Sequence, residues 1–319
     1  MKTRIAICAV CLAGALTLPA MALTTSTAEV ENAAPIAEDL SLSTYKGVAI
    51  FSRFAAVDPE GDLVTFQVVD SPARGQVTLD ENDPAAFTYT PYEGKKGKDS
   101  FTYVAIDAVG NTSQPAKVKI VIEKQKTAVR YSDLEGDPTH YAALRLAEAG
   151  VYTGRQVGAL YCFDPEESFS REEFLAMAMT AAGRDPLRGV TLTGFYDDEH
   201  ISAWAKGYVS AALVDGTVYG SHNDVGQAVF APDSAVTQAE AAVIIDRLLV
   251  TGDVSAATST FSAETAPAWA YQSVVNMEAV SVLNSSTDLY KPLTRGEAAV
   301  MLSAMLDVLD ARDAGGLFR

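Results

Sequence analysis

Three segments of this chain open helices with nearly the same residues: FSREEF (Phe169–Phe174), VTQAEA (Val236–Ala241) and LTRGEA (Leu293–Ala298). Each has Ser or Thr followed three residues later by Glu. At that spacing the hydroxyl accepts from an early helical N–H, and the carboxylate reaches back to the N–H of the cap itself. The predicted pairs are Ser170 with Glu173, Thr237 with Glu240 and Thr294 with Glu297. One such box starts many helices. Three in matching surroundings mean that an internal repeat governs this half of the chain.

The surroundings do match. The first copy opens at Tyr131-Ser-Asp133, continues through Tyr141-Ala142, Gly150 and Gly154, and reaches Phe163-Asp-Pro165 before its box. The second has Phe195-Tyr-Asp197, Trp204-Ala205, Gly216, Gly220 and Phe230-Ala-Pro232. The third has Phe261-Ser262, with Ala263 where the aspartate belongs, then Trp269-Ala270 and Tyr290-Lys-Pro292, and its loop lacks the glycines. Apolar residues recur at three and four through HYAALRLAEAGV, FLAMAMTAAG, AAVIIDRLLV and AAVMLSAMLDVL, the period of helices. The expected copies are residues 131–190, 191–254 and 255–310, each a helix, a loop, an aromatic-x-Pro turn, a box and a second helix. Residues 311–319 form a tail without a readable signal.

Upstream the period is two. LVTFQVVD (63–70), GQVTL (75–79), AFTYT (86–90), DSFTYVAID (99–107) and AKVKIVIE (116–123) alternate apolar with polar, rich in β-branched and aromatic residues, between Asp-Pro, Gly-Asp and Gly-Asn turns. Two weaker strands near Leu40 and Val48 bring the number to about seven, that of an immunoglobulin-like sandwich over residues 34–123. A basic, polar linker, 124–130, separates the two regions. In the DPEGD turn, Asp58, Glu60 and Asp62 offer hard oxygens at alternate positions, and Asp107 could close a calcium site from another strand; the spacing is not that of a complete EF-hand loop, and the alternative is a solvated acidic turn between two strands.

Lys2 and Arg4, the apolar run Ile5–Leu18 and the Ala20-Met21-Ala22 site read as an export leader, residues 1–22, followed by a flexible Thr/Ser/Ala-rich lead-in, 23–33. No later run is long enough to span a bilayer, so the mature chain is expected outside the cell. Cys162 is then its single cysteine, which excludes an internal disulfide and suits a buried small hydrophobe. With 24 Lys+Arg against 41 Asp+Glu, a net charge of −17, nucleic acid is a poor partner. No nucleophile elbow or phosphate loop is present, and His140, His200 and His222 lack metal-ligand spacing, so no enzyme is expected.

Two family resemblances attach to these motifs. AAPIAEDLSLST, VDPEGDLVTFQVVDSPARGQVTL and FTYTPYEGKKGKDSFTYVAIDAVGNTS together resemble the bacterial cadherin-like Ig repeat, a spacer or adhesion module of exported surface proteins. Tyr131 to Asp310 resembles three S-layer homology (SLH) repeats, which implies an all-α, pseudo-threefold unit that holds the pyruvylated secondary polysaccharide of Gram-positive cell walls in grooves between repeats. By that resemblance Arg171 and Arg295, in the first turns of their helices, are the anion binders, beside free backbone N–H groups and the positive dipole end. Trp204, Trp269 and Tyr141 are the groove aromatics, unless they pack between helices. Gln238 stands where the middle copy's arginine belongs and weakens its groove. The implied function is a wall-anchored surface protein displaying an Ig-like module. The alternative is an adhesion protein whose degenerate repeats bind other surface proteins.

Overall fold

The computed structural model describes residues 32–315 except 285 and 286; the expected leader and nearly all of the lead-in lie outside them. The first region is a β-sandwich. Its strands are β1 (Ile36–Ala37), β2 (Leu40–Tyr45), β3 (Ile50–Arg53), β4 (Ala56–Val57), β5 (Thr65–Asp70), β6 (Gly75–Leu79), β7 (Ala86–Pro91), β8 (Gly97–Ile106) and β9 (Ala116–Glu123). One sheet has the order β2-β9-β8-β5, with β2 and β9 parallel; the other has β3-β7-β6. Strand β9 shows why the pattern works, since Ala116, Val118, Ile120 and Ile122 are buried while the residues between them are exposed. Between the sheets Phe54 stacks on Phe87 and lies against Tyr103, both at 4.4 Å, with Phe101 edge-on to Phe87 at 5.5 Å. Burying each such ring contributes roughly 1.5–3 kcal/mol.

The second region has three helix pairs: α1 (His140–Glu148) with α2 (Arg171–Ala181), α3 (Lys206–Val214) with α4 (Gln238–Leu249), and α5 (Tyr271–Ala279) with α6 (Arg295–Gly315). Helices α2, α4 and α6 pack on one another, and their apolar, Ala- and Met-rich turns are buried nearly all round. The outer helices are handed on cyclically: α3 packs on α2, α5 on α4, and α1 closes the circle on α6. Two features depart from expectation, the first of them from an all-α region. Short antiparallel hairpins, β10 (Arg155–Val157) with β11 (Leu160–Cys162) and β12 (Ser221–His222) with β13 (Ala228–Val229), pair the loops of the first two copies. The tail is also partly structured, because α6 runs past residue 310 and Arg312 Nη1 donates to Leu249 O at 2.5 Å.

The linker is pinned as well. Val129 is buried in the helical core, and Gln125 Nε2 donates to Val129 O at 2.6 Å. Tyr45 and Val48 of the sandwich belong to that same core cluster. Tyr45 Oη donates to Glu148 Oε2 at 3.0 Å, and Lys126 N donates to the other oxygen of Glu148.

Ahead of α3, Asp198 gathers a loop. Its Oδ1 accepts from Thr193 N and Oγ1, each at 2.7 Å, while Oδ2 pairs with Lys206 Nζ. The Lys206 hydrogen bond holds this carboxyl below its ordinary range, against the opposing effect of burial. A carboxyl depressed by folding contributes stability that is fully present above its unfolded pKa and lost as pH falls through the folded value. The helical region's melting temperature is therefore expected to fall more steeply in the wild type than in Asp198→Asn between about pH 5 and about pH 2. Thermal melts across that range test this; parallel slopes would contradict it.

Candidate functional site

All three predicted boxes form. The cap N–H groups of Ser170, Thr237 and Thr294 each donate to the Glu of their own box at 2.9 Å. The N–H groups of Glu173, Glu240 and Glu297 return to the cap hydroxyls at 3.2–3.3 Å. The next two N–H groups go to the following copy. Arg171 N and Glu172 N donate to Ser234 O and Pro232 O at 2.9 and 3.2 Å. Gln238 N and Ala239 N donate to Lys291 O and Leu289 O, and Arg295 N and Gly296 N close the circle on Glu167 O and Pro165 O. Every first-turn donor is occupied. This corrects the expectation of free backbone N–H groups beside the arginines: a bound anion must be held by side chains, since the helix starts are already satisfied by protein.

The side chains around this ring differ between copies. Arg171 Nη2 lies 2.8 Å from Glu240 Oε1, so the glutamate that caps the second box also ties it to the first. Arg295 lies 3.6 Å from Asp164 and its guanidinium is 5.2 Å over the Phe169 ring. Both arginine side chains are about a fifth exposed, at 22% and 21%, and each has a buried Nε with no partner. Gln238 is buried, with 6% exposure. Glu297, the glutamate that an arginine at 238 would face by analogy with the first box, instead takes Lys291 Nζ at 3.1 Å. The third copy thus supplies a cation that the second lacks.

A cleft of about 360 Å³ gathers residues of all three copies. Arg171 comes from the first, Tyr219, Gly220 and Arg247 from the second, and Trp269 from the third. Arg247 sits 4.8 Å over the Tyr219 ring and donates to Thr217 O at 3.0 Å. Trp269 is 62% exposed and Trp204 53%, which rules out the core alternative for both. The two tryptophans precede α5 and α3 rather than lying within them. Tyr141 does not serve as a free wall. Its ring lies 5.4 Å from that of Tyr45, and burial raises its hydroxyl pKa. The sandwich therefore covers the first copy's aromatic. Sequence reasoning did not find Arg247 or Tyr219; their signal is only an Arg within an apolar helix and a Tyr beside Gly220.

It also missed what the opening aspartates do. Asp133 accepts from Phe163 N and Asp164 N, and Asp197 from Phe230 N and Ala231 N, at 2.7–3.1 Å. These bonds hold the aromatic-x-Pro turns, where Asp164 and Ala231 have φ of +56° and +57°. The third copy, with Ala263 at the opening, has no positive φ at Lys291.

The calcium candidates do not converge. Asp58 Oδ1 closes its own turn on Glu60 N and Asp62 N, and Glu60 accepts from Ala33 N. Asp107 takes hydrogen bonds from Val109, Gly110 and Asn111 backbone and from the Asn32 and Asn111 amides, which hold its carboxyl below the ordinary range despite desolvation. Among the described residues, the one set of three ligand atoms within reach of a single ion is Asp133, Cys162 and Asp164, and Asp133 there is already spent on the turn. Cys162 is half-buried, 3.3 Å from Ser132 Oγ. No described helix is long and apolar enough to cross a membrane.

Residues 32–121 match the Bacterial Ig domain family. An amylopullulanase of Thermoanaerobacterium thermosulfurigenes is 34% identical over 132 residues, covering 40% of this chain and 7% of the relative. Exoglucanase XynX of Acetivibrio thermocellus is 33% identical over 123 residues, covering 37% of this chain and 11% of the relative. The chain therefore spans a small fraction of these curated relatives. Both alignments are longer than the segment 32–121 and so include residues outside it. A solved structure of fibronectin(III)-like modules of Clostridium thermocellum CbhA is 19% identical, with a TM-score of 0.22, covering 31% of this chain and 51% of that one; that score is too low to define a shared architecture. The Ig-like module and these likenesses are consistent with a surface or secreted protein.

Proposed function

We propose that residues 131–310 are three SLH repeats that hold an exported, non-catalytic surface protein on an anionic cell-wall polysaccharide, with the Ig-like module displayed from it. The observation that carries this reading is the convergence of Arg171, Arg247, Tyr219 and Trp269 from three copies on one cleft. Guanidinium groups take a carboxylate such as a pyruvate ketal, and an exposed ring takes a sugar face. The grooves are unequal. The first keeps two arginines and a tryptophan, the third box keeps Arg295, and the middle one has Gln238, with Tyr141 covered by the sandwich.

The test is co-sedimentation of the full chain with Gram-positive walls, intact or stripped of their non-peptidoglycan polymer. Binding is expected to disappear on stripping. Arg171→Ala should weaken it by about tenfold to a hundredfold, the worth of one charge-assisted contact, and Arg295→Ala by less. Failure to bind intact walls would reject anchoring. Covered Tyr141 and the buried Gln238 would then favour a second reading, in which the repeats contact other surface proteins.

A further inference from the structure

One cleft on the outward face of the four-stranded sheet is lined by four cations and a single carboxylate, while Asp70 and Glu123 stand elsewhere on that face. Strand β9 turns Lys117 and Lys119 outward, β8 turns Lys98 and Ser100, and β2 turns Ser41 and Ser43. The register sets Ser41, Lys119 and Ser100 in one row, and Ser43, Val121 and Lys98 in the next. Arg74, from the turn before β6, completes a shallow cleft of about 770 Å³. Among the described residues Lys98, Lys117 and Arg74 make no ion pair, and Lys119 reaches Asp39 at 3.3 Å. The one carboxylate lining the cleft, Asp99, accepts from Ala73 N, Arg74 N and the Tyr89 hydroxyl. Four cations and four serines thus line one cleft of a protein with a net charge of −17.

We infer that this face binds an acidic polysaccharide, a chain bearing repeated carboxylates, at a site separate from the helical grooves. The chemistry of the face selects that class. Centres of protein interfaces are built on aromatic anchors and are depleted of lysine, and no aromatic residue lines this cleft. Bases of a nucleic acid would find no ring to stack on. Lys119 lies between Ser41 and Ser100 across the strands, about 5 Å apart, and Lys98 precedes Ser100 along β8 by about 7 Å, so a polyhydroxylated polyanion meets charge and hydrogen-bond partners together.

Affinity electrophoresis of the full chain through polygalacturonate, with neutral dextran as the control gel, tests this. Retardation is expected with polygalacturonate alone, and it should weaken from about 0.05 to about 0.5 M salt. The triple variant Lys98→Gln/Lys117→Gln/Lys119→Gln should bind about tenfold or more weakly, while Arg188→Gln, an exposed cation outside both clefts, binds as the wild type does. The three lysines are exposed, so an unchanged thermal melt identifies a folded variant. Full retention of binding by the triple variant would overturn the inference, as would an equal loss of binding in Arg188→Gln. Concentration-dependent self-association that the triple variant loses, without polygalacturonate binding, would assign the face to a second copy of the chain and equally overturn it.

Discussion

A chain ending near residue 254 is expected to lose its helical fold entirely, although two of its three helix pairs remain intact in sequence. Stacked repeat arrays lose stability roughly in proportion to the units removed. This ring does not have that freedom. Removing the third pair strips α1 of the helix it packs on and exposes the faces of α2 and α4 that meet α6. The N–H groups of Gln238 and Ala239 lose Lys291 O and Leu289 O. The buried side chains of Leu293, Met301, Leu302 and Met305 go as well, each worth roughly 1.5–3 kcal/mol. Their sum is comparable to the whole stability of an ordinary domain, about 5–15 kcal/mol. The sandwich has its own core and should survive. Far-UV circular dichroism should therefore show a single β-type transition and no cooperative helical melt. A cooperative melt of the remaining four helices would refute the closed-ring account.

The second large effect is expected at Gly220. Its φ is +72°, and a Cβ there would lie 2.5 Å from Val229 O and 2.6 Å from Phe195 Cε1. One neighbour is backbone and the other is a buried ring, so neither yields cheaply. Gly220→Ala should cost about 2–5 kcal/mol, combining the left-handed penalty with overpacking. Gly226, in the β12–β13 turn, has a similar φ of +79° with open space around it, and Gly226→Ala should cost only about 1–2 kcal/mol. Urea titration of the two variants separates clash from conformation. Equal midpoints would show that φ alone matters. Since Gly220 also lines the cleft, its substitution should weaken wall binding in step with stability.

Much of this was legible in the chain itself. The three boxes were readable because a cap and its glutamate are local, and the β strands because alternation reports one buried face. What the boxes do beyond capping was hidden. The acceptors of Arg171 N and Gly296 N lie more than sixty residues away in the neighbouring copies, and no local pattern records them. In the sequence Asp133 and Asp197 mark only the openings of the first two copies, yet each holds a turn about thirty residues downstream. Tyr141 matched the tryptophans in position, but its partner Tyr45 is in the other module. The acidic DPEGD turn suggested an ion because its oxygens alternate; in the structure Asp58 closes the turn and Glu60 takes Ala33 N.

The joint between the modules has a mechanical consequence. Tyr45 and Val48 share the helical core, and Glu148 grips both Tyr45 and the backbone at Lys126. The sandwich therefore has no swivel and stands as a fixed lever on α1. Helix α1 is clasped in turn to the last helix, with Arg145 2.9 Å from Asp307 and 2.7 Å from Asp310. Tension entering through the sandwich passes directly between the first and last helices of the ring. It loads the packed α1–α6 seam as a whole, not one copy at a time.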